Sequence, residues 1–581
     1  MTVVIRGGTV VDGTGAPPVR ADVVIEGERI ISVGPDADSA GADRVIDASG
    51  MLVTPGFIDL HTHYDAQLFW DANASPSPLH GVTTVLGGNC GFSLAPMAPE
   101  HVDYIARMMA RVEGMPLAAL RAGMPWDWGS FGDWIGRLDG RIAVNAGFLV
   151  GHSTLRRFAM GERAVGGVAD ADDLAAMEAA LHAALEEGAL GLSTSQVHTH
   201  NDGDGQPVPS RAAAREEMER LAAAVRHHEG TTVELIVAGC LNGFSEEDID
   251  FLATMSLLAD RPVNWNVLGV SAMNPEGAWG QLAAGTAASA RGATVVALTL
   301  PHTMQLRLSF EHGAILDGLP GWREVFALPA AERMAALRDP ATRRRLDAGA
   351  QSDEAGILRH LAVWDRLIVD ETFAPENADA DGRSVGDVAR ARGVEPFDAL
   401  LDVVVADGLR TGLRPPIPES EEDWVLRAEV WQDPRAIVGG SDAGAHLDTM
   451  CGAIYSTSLL GDGVRARGLL SWEAAVRLLT DVPARLYGLR DRGRLAVGYF
   501  GDVVVLHPQT IGHGAVRTRD DLPGGASRLY ADAVGIEHVL VNGTEIVSGG
   551  DFTGAVPGRV LRSGRDTDTV HAGSDWAGAV T

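Results

Sequence analysis

Apolar and polar residues alternate with a period of two at both ends of the chain. VVIRGGTVVDG, ADVVIEGERIISVG and RVIDASGMLVTPG near the start are β-branched runs cut by Gly, Asp and Pro, the texture of short strands and tight turns. GRLAVGYFGDVVVLHP and VGIEHVLVNGTEIVSGG repeat it near the end, so residues 1–53 and 491–562 are expected to meet in one small β-sandwich domain. Between them the pattern changes to apolar runs alternating with helical periodicity. The runs predict strands at 52–60, 82–88, 142–150, 189–194, 231–237, 262–268, 293–300 and 436–440. Amphipathic helices are predicted at 170–187, opened by Asp170 and closed by Gly188, and at 210–228 and 245–259. Eight apolar strands, most followed by a helix, predict an α/β fold, a (β/α)8 TIM barrel over residues 54–490. The stretch 301–435 is too long for one crossover helix and is expected to form a subdomain or lid, and the polar, Gly-rich tail 563–581 to be loosely held.

Composition narrows the partners. The net charge is −31, which argues against nucleic acid or an anionic membrane surface as partner. All 47 basic residues are arginine, and without lysine there is no Schiff-base lysine, P-loop lysine or carbamylated-lysine metal bridge. Three cysteines in 581 residues make no disulfide framework, no apolar run reaches membrane-spanning length, and the N-terminus reads as a strand rather than a leader, so a cytoplasmic protein is expected.

The chemistry gathers at strand ends. In PGFIDLHTHYD, His61 and His63 stand two apart at the end of an apolar strand, so both imidazoles point to one side, toward the barrel mouth, where they suit Zn²⁺ or a similar ion. Cys90, in the Gly-rich turn of GVTTVLGGNCGFS, offers a thiolate to ligate or bridge metal. Asp442 in VGGSDAGAHLD stands just past the last strand, where a carboxylate can bind metal, take a proton from water and return it to a leaving nitrogen; His446 lies one loop turn further on.

PGFIDLH followed by His61-x-His63, the terminal-strand Asp442 and the shared β-domain resemble the amidohydrolase superfamily. NCGFS, GHSTLR, GALGLSTS and DFTGAVPGRVLR narrow this to a resemblance to the N-acyl-D-amino-acid deacylase (D-aminoacylase) group, over nearly the whole chain. The resemblance implies a metal-dependent hydrolase barrel with one or two zinc ions, amide hydrolysis of a small-molecule substrate, and a cysteine, matched by Cys90, where other amidohydrolases carry a carbamylated lysine. It also draws in His152 of GHSTLR, to orient substrate or polarise a carbonyl, and His200 of QVHTHNDGDG; His302 after strand seven is a further substrate-binding candidate. Glu113 in RVEGMP matches a family segment without a role that the sequence supplies.

Two departures shape the expectations. The group carries a histidine on each of strands five and six, whereas this chain has Glu234 on strand five and Asn264 and Asn266 on strand six. A carboxylate on so apolar a strand is a metal ligand or an ion-pair partner, and the two asparagines share one face, for substrate binding or support of the ligands, with hydrogen bonding inside the core as the alternative. One firm zinc is therefore expected on His61, His63, Cys90 and Asp442, any second ion being weaker and using Cys90 and Glu234. The group also binds its substrate carboxylate through Lys and an Arg after the terminal-strand Asp, and here that stretch reads His446-Leu447-Asp448. A carboxylated substrate then needs another arginine, or is not the substrate. Deacylation of an N-acyl amine or N-acyl (D-)amino acid leads, with a cyclic-amide ring opener and a catalytically weakened metal-binding protein as the other readings; homo-oligomerisation stays open.

Overall fold

The computed structural model describes residues 1–35, 41–311, 313 and 315–576. Its centre is a parallel barrel of eight short strands: β1 (Phe57–Asp59), β2 (Val82–Gly87), β3 (Asn145–Phe148, continued by Val150–Gly151), β4 (Gly191–Ser195), β5 (Thr232–Ile236), β6 (Val263–Leu268), β7 (Val295–Thr299) and β8 (Ala436–Val438). Neighbours pair in sequence order from β1 to β8. The seam between β8 and β1 closes beyond the strands themselves: Asp442 donates its N–H to the His61 carbonyl (3.1 Å), and His63 donates to that of Ala443 (2.8 Å). Leu86, Leu192, Leu235, Val263 and Ile437 belong to one continuous core around the strands, which is why the strands read as apolar runs.

Capping residues set the helices as their side chains allow. Asp170 and Ser245 each form a capping box at the start of Ala171–Glu186 and Glu246–Ala259. The helix expected at 210–228 is shorter, Arg215–Val225, because Pro209–Ala212 forms a separate 3-10 turn.

The first barrel strand was expected to run unbroken over 52–60. It is two elements. Leu52–Pro55 pairs with Val503–Leu506 in the β-domain, and Phe57–Asp59 begins the barrel. Gly56 marks the crossing: a Cβ there would sit 2.1 Å from Thr83 Oγ1, so only glycine lets the chain pass. Both ends of the chain contribute to a nine-stranded sheet, in which Thr2–Val10 pairs with Val19–Glu26 on one edge and with Arg44–Asp47 and then Leu52–Pro55 on the other. One face encloses its own core of Ile5, Val23, Val53, Val503 and Leu540; Val504, Val539 and Val547 join the barrel core.

The segment between β7 and β8 has a separate core that includes Leu308, Trp322, Leu346, Trp364, Leu400 and Leu413. Its last helix, Glu421–Trp431, packs Trp424 and Trp431 into the barrel core and is the crossover to β8. The tail is held, not loose: Ser563 donates its N–H to the Gly188 carbonyl (3.2 Å), Thr567 Oγ1 donates to the Gly230 carbonyl (2.7 Å), and Trp576 is buried, while 577–581 lie outside the described residues. No helix among the described residues is long and apolar enough to cross a membrane.

Candidate metal centre

The strand β1 ends at Asp59 and the chain bends at Leu60 and His61, and beyond the bend the imidazoles of His61 and His63 lie together, their ring centroids 5.3 Å apart. Thr62 between them turns away and donates its hydroxyl to the Leu86 carbonyl (2.9 Å). Cys90 sits in the turn after β2 with φ +55° and donates its N–H to Glu234 Oε2 (2.8 Å), which aims the thiol at His61 Nε2, 3.5 Å away. Asp442 also has a positive φ, +55°, and its Oδ1 lies 3.1 Å from His61 Nε2 and 3.5 Å from His63 Nε2. Non-glycine residues pay about 1–3 kcal/mol for such backbone strain, and two of them facing one point mark a site that the surroundings hold in place.

Behind these groups, Asp59 is fully buried at the barrel seam. Its Oδ2 accepts the Ser441 hydroxyl (2.5 Å), and the same Ser441 Oγ accepts the Ala443 N–H (3.0 Å). This clamp fixes the backbone on both sides of His61 and Asp442.

One ligand atom each from His61, His63 and Cys90 lie within 4.8 Å of one another, and all three residues are buried. Around them stand the carboxylates of Asp442, Glu234 and Glu113, the last with Oε2 3.4 Å from His63 Nε2. Burial opposes ionisation of the Cys90 thiol, and the negative charges of Glu234, Glu113 and Asp442 add to that, so its pKa lies far above the ordinary thiol value. Burial likewise lifts Glu234 to about 7 against the pull of His61. For His63 burial works against charge, but Glu113 and Asp442 prevail and raise it to about 9. Asp442 would be raised by burial alone; the hydrogen bonds with His61 and His63 hold it well below the ordinary carboxylate range. His63 Nδ1 and His61 Nδ1 are buried without a hydrogen-bond partner among the described residues, and His63 Nε2 meets only the carboxylate oxygens of Glu113 and Asp442. Crowded acids, a thiol and unpartnered imidazole nitrogens, with no lysine or arginine among them, fit a divalent cation.

Strands β5 and β6 approach the same point. Glu234 is paired in register with Asn264. The Asn266 amide lies within 3.4 Å of both His61 Nε2 and Cys90 Sγ. Turned so that its nitrogen faces Glu234, it donates to Oε1 and to the Leu235 carbonyl (3.3 Å). Asn264, expected beside it as a substrate contact, is instead fully buried and donates to Tyr487 Oη (2.9 Å), deeper in the barrel. Two residues along a strand is about 6.6 Å, enough to leave the mouth for the packed interior.

His152 also departs from its expected catalytic place. Its Nδ1 meets Thr194 Oγ1 and its Nε2 meets Glu217 Oε1, both at 2.8 Å, and Glu217 is held in turn by Arg156. Both ring nitrogens are used within the buried wall. His200 does border the centre: Nδ1 bonds Ser195 Oγ (2.8 Å), and burial, aided by the charges of His446 and His63, lowers its pKa to about 3. His446 donates its N–H to the Glu113 carbonyl (2.5 Å), which ties the Asp442 loop to the segment carrying Glu113. His302 bonds the Thr303 carbonyl through Nδ1 (3.0 Å) and lines a cavity of about 410 Å³ with Leu300, Arg307, Trp424, Ser441 and Met450. Glu113, Asp59 and Ser441 are the residues that sequence reading left without a role; the matched RVEGMP segment was the one signal for Glu113.

A barrel whose C-terminal rim gathers an HxH pair, a thiol and a terminal-strand acid defines the metal-dependent hydrolase class. The chain belongs to the amidohydrolase family, which matches residues 44–547. It is 30% identical to N-acyl-D-glutamate deacylase of Alcaligenes xylosoxydans xylosoxydans over 97% of this chain and 96% of the relative. N-acyl-D-glutamate deacylase from Bordetella bronchiseptica, solved with zinc and a phosphonate mimic of the tetrahedral intermediate, superposes with a TM-score of 0.62 at 25% identity, covering 97% and 99% of the two chains. A D-aminoacylase structure superposes at 0.61 with 27% identity over 96% and 99%; its binuclear metal centre is described as activated by one metal and attenuated by a second.

Proposed function

We propose that this amidohydrolase deacylates an N-acyl amine or N-acyl (D-)amino acid with one firmly held zinc. The observation that carries the reading is the convergence of His61 Nε2, His63 Nε2, Cys90 Sγ and Asp442 Oδ1 on one buried point. His61, His63, Cys90 and Asp442 would hold the ion. When bound, the ion supplies Lewis acidity that brings the pKa of water toward neutrality and polarises the scissile carbonyl.

The chain's own groups do the rest. Asp442, the ligand whose side chain keeps some exposure (21%), takes the proton from the attacking water and returns it to the departing nitrogen. Glu113 faces His63 Nε2 on the side where the ion would sit, the Asp59–Ser441 clamp holds His61 and Asp442, and Glu234 fixes the Cys90 turn. His200, kept neutral by burial, borders the space where the carbonyl oxygen would develop charge.

The deacylase relatives support the substrate class, and the zinc-containing relative supports the ion. The test is a panel of N-acyl amines, N-acyl D- and L-amino acids and cyclic imides, assayed on protein of measured metal content. Turnover of N-acyl compounds is expected; turnover of cyclic imides alone would replace this reading with a ring opener.

A further inference from the structure

Three histidines meet at the base of the barrel, on the face opposite the metal centre. His182 stands in the last turn of the helix Ala171–Glu186, which leads into the start of β4. His227 and His228 follow the helix Arg215–Val225, on the way into β5. His182 Nδ1 faces His228 Nε2 at 2.8 Å, and the His182 ring centroid lies 5.1 Å from that of His228 and 6.3 Å from that of His227. His182 and His228 are half-buried and His227 is exposed. The centre at the rim uses none of them.

The surroundings suit a cation held by neutral ligands. Both helices end here, and a helix C-terminus attracts positive charge. Glu186 lies one turn beyond His182 on the same helix face, and its charge reaches His228. Burial, joined by the charge of His182, still lowers the His228 pKa, so its imidazole is neutral near pH 7 and has a lone pair to give. The Arg261 guanidinium, whose charge also reaches His228, is turned to the backbone: Nη2 donates to the His228 carbonyl (2.8 Å) and Nη1 to that of Asp260 (2.7 Å). The spacing selects the ion. Two imidazole nitrogens about 2.0 Å from one metal are about 2.8 Å apart at a right angle and about 3.3 Å apart at a tetrahedral angle. The observed separation is the right-angle value, which suits tetragonal Cu²⁺ better than tetrahedral Zn²⁺.

We propose that His182 Nδ1 and His228 Nε2 form two adjacent corners of a second metal site, for Cu²⁺, that ties the ends of these two helices together. In the free protein one of the facing nitrogens carries the proton between them. Moving that proton to the outer nitrogen of the same ring frees both lone pairs, with no net change of protonation and no redox step. His227 and Glu186 flank the pair as further donors. The site is independent of the deacylase reading, and because it exists only when both helices are in place, the ion stabilises the folded chain.

The test is titration of the zinc-loaded, full-length protein with Cu²⁺, in wild type, His182→Ala, His228→Gln and the double variant, followed by elemental analysis, thermal unfolding and electron paramagnetic resonance. Wild type is expected to gain about one copper per chain beyond its zinc, with a raised Tm and an axial copper spectrum split by two imidazole nitrogens. Each single variant is expected to lose at least about 100-fold in copper affinity, since even the groups that support a ligand from behind are worth about 10- to 100-fold, and to lose the rise in Tm while keeping its zinc. A double variant that takes up copper as wild type does overturns the proposal, and so does a wild type that gains copper only by giving up zinc. Should the variants fail to fold, wild type decides alone. Two imidazole nitrogens with zinc retained and no thiolate-to-copper absorption support the site; a thiolate band, which would put the copper on Cys90, or a spectrum without nitrogen splitting overturns it.

Discussion

Two arcs of the barrel rim meet at one point but are equipped differently. Strands β1, β2 and β8 bring two imidazoles, a thiol and a carboxylate, all with free electron pairs directed inward. Strands β5 and β6 bring Glu234 and Asn266, whose polar atoms are engaged with the Cys90 N–H and with each other. The first arc can bind a cation; the second mostly orders the first.

Asp442→Asn should break the first arc most severely. It is expected to lower kcat about 10³-fold while retaining more zinc than His61→Ala, read by steady-state kinetics and elemental analysis on the same preparations. The difference between the arcs can also be erased. Glu234→His combined with Asn266→His should raise tightly held zinc from about one toward about two ions per chain, since imidazole is the better neutral ligand. Smaller effects belong to the wall. His152→Ala should cost about 2 kcal/mol of stability, because Glu217 and Thr194 lose a buried partner, and leave KM near that of the parent; a large KM change without loss of stability would return His152 to the substrate.

A separate effect is on acid stability. His80 is fully buried between Thr457 Oγ1 (2.7 Å) and the Ala531 carbonyl (3.1 Å), and burial lowers its pKa to about 4. The unfolded chain takes up this proton near pH 6.5 and the folded chain only near 4. Stability from this group is therefore complete above pH 6.5 and falls, by roughly 3 kcal/mol, as the pH drops toward 4. Denaturant midpoints at pH 7 and pH 4.5 in wild type and His80→Gln measure it, and the variant should lose less.

Sequence periodicity made the first arc legible. Period two placed His61 and His63 together, and strand ends placed Cys90 and Asp442 near them. Depth was not legible: Asn264 and Asn266 share a face, yet only tertiary packing shows Tyr487 capping the former. Nor were partners contributed by distant helices. His152 looked free because Glu217, 65 residues away, lies on another element, and Glu113 looked idle because its segment reaches His63 only through the long β2–β3 connection. The Gly56 crossing was hidden because a run of apolar residues gives no sign that its two halves join different sheets.

Zinc stoichiometry after exhaustive dialysis, measured on wild type alongside His61→Ala and Glu234→Gln, tests the central assignment most directly. One ion per chain in wild type, lost in His61→Ala and kept in Glu234→Gln, is the result expected of a centre built on β1, β2 and β8. Two ions retained with equal tenacity, or an ion that survives His61→Ala and leaves with Glu234→Gln, would place the centre on the other arc and contradict it.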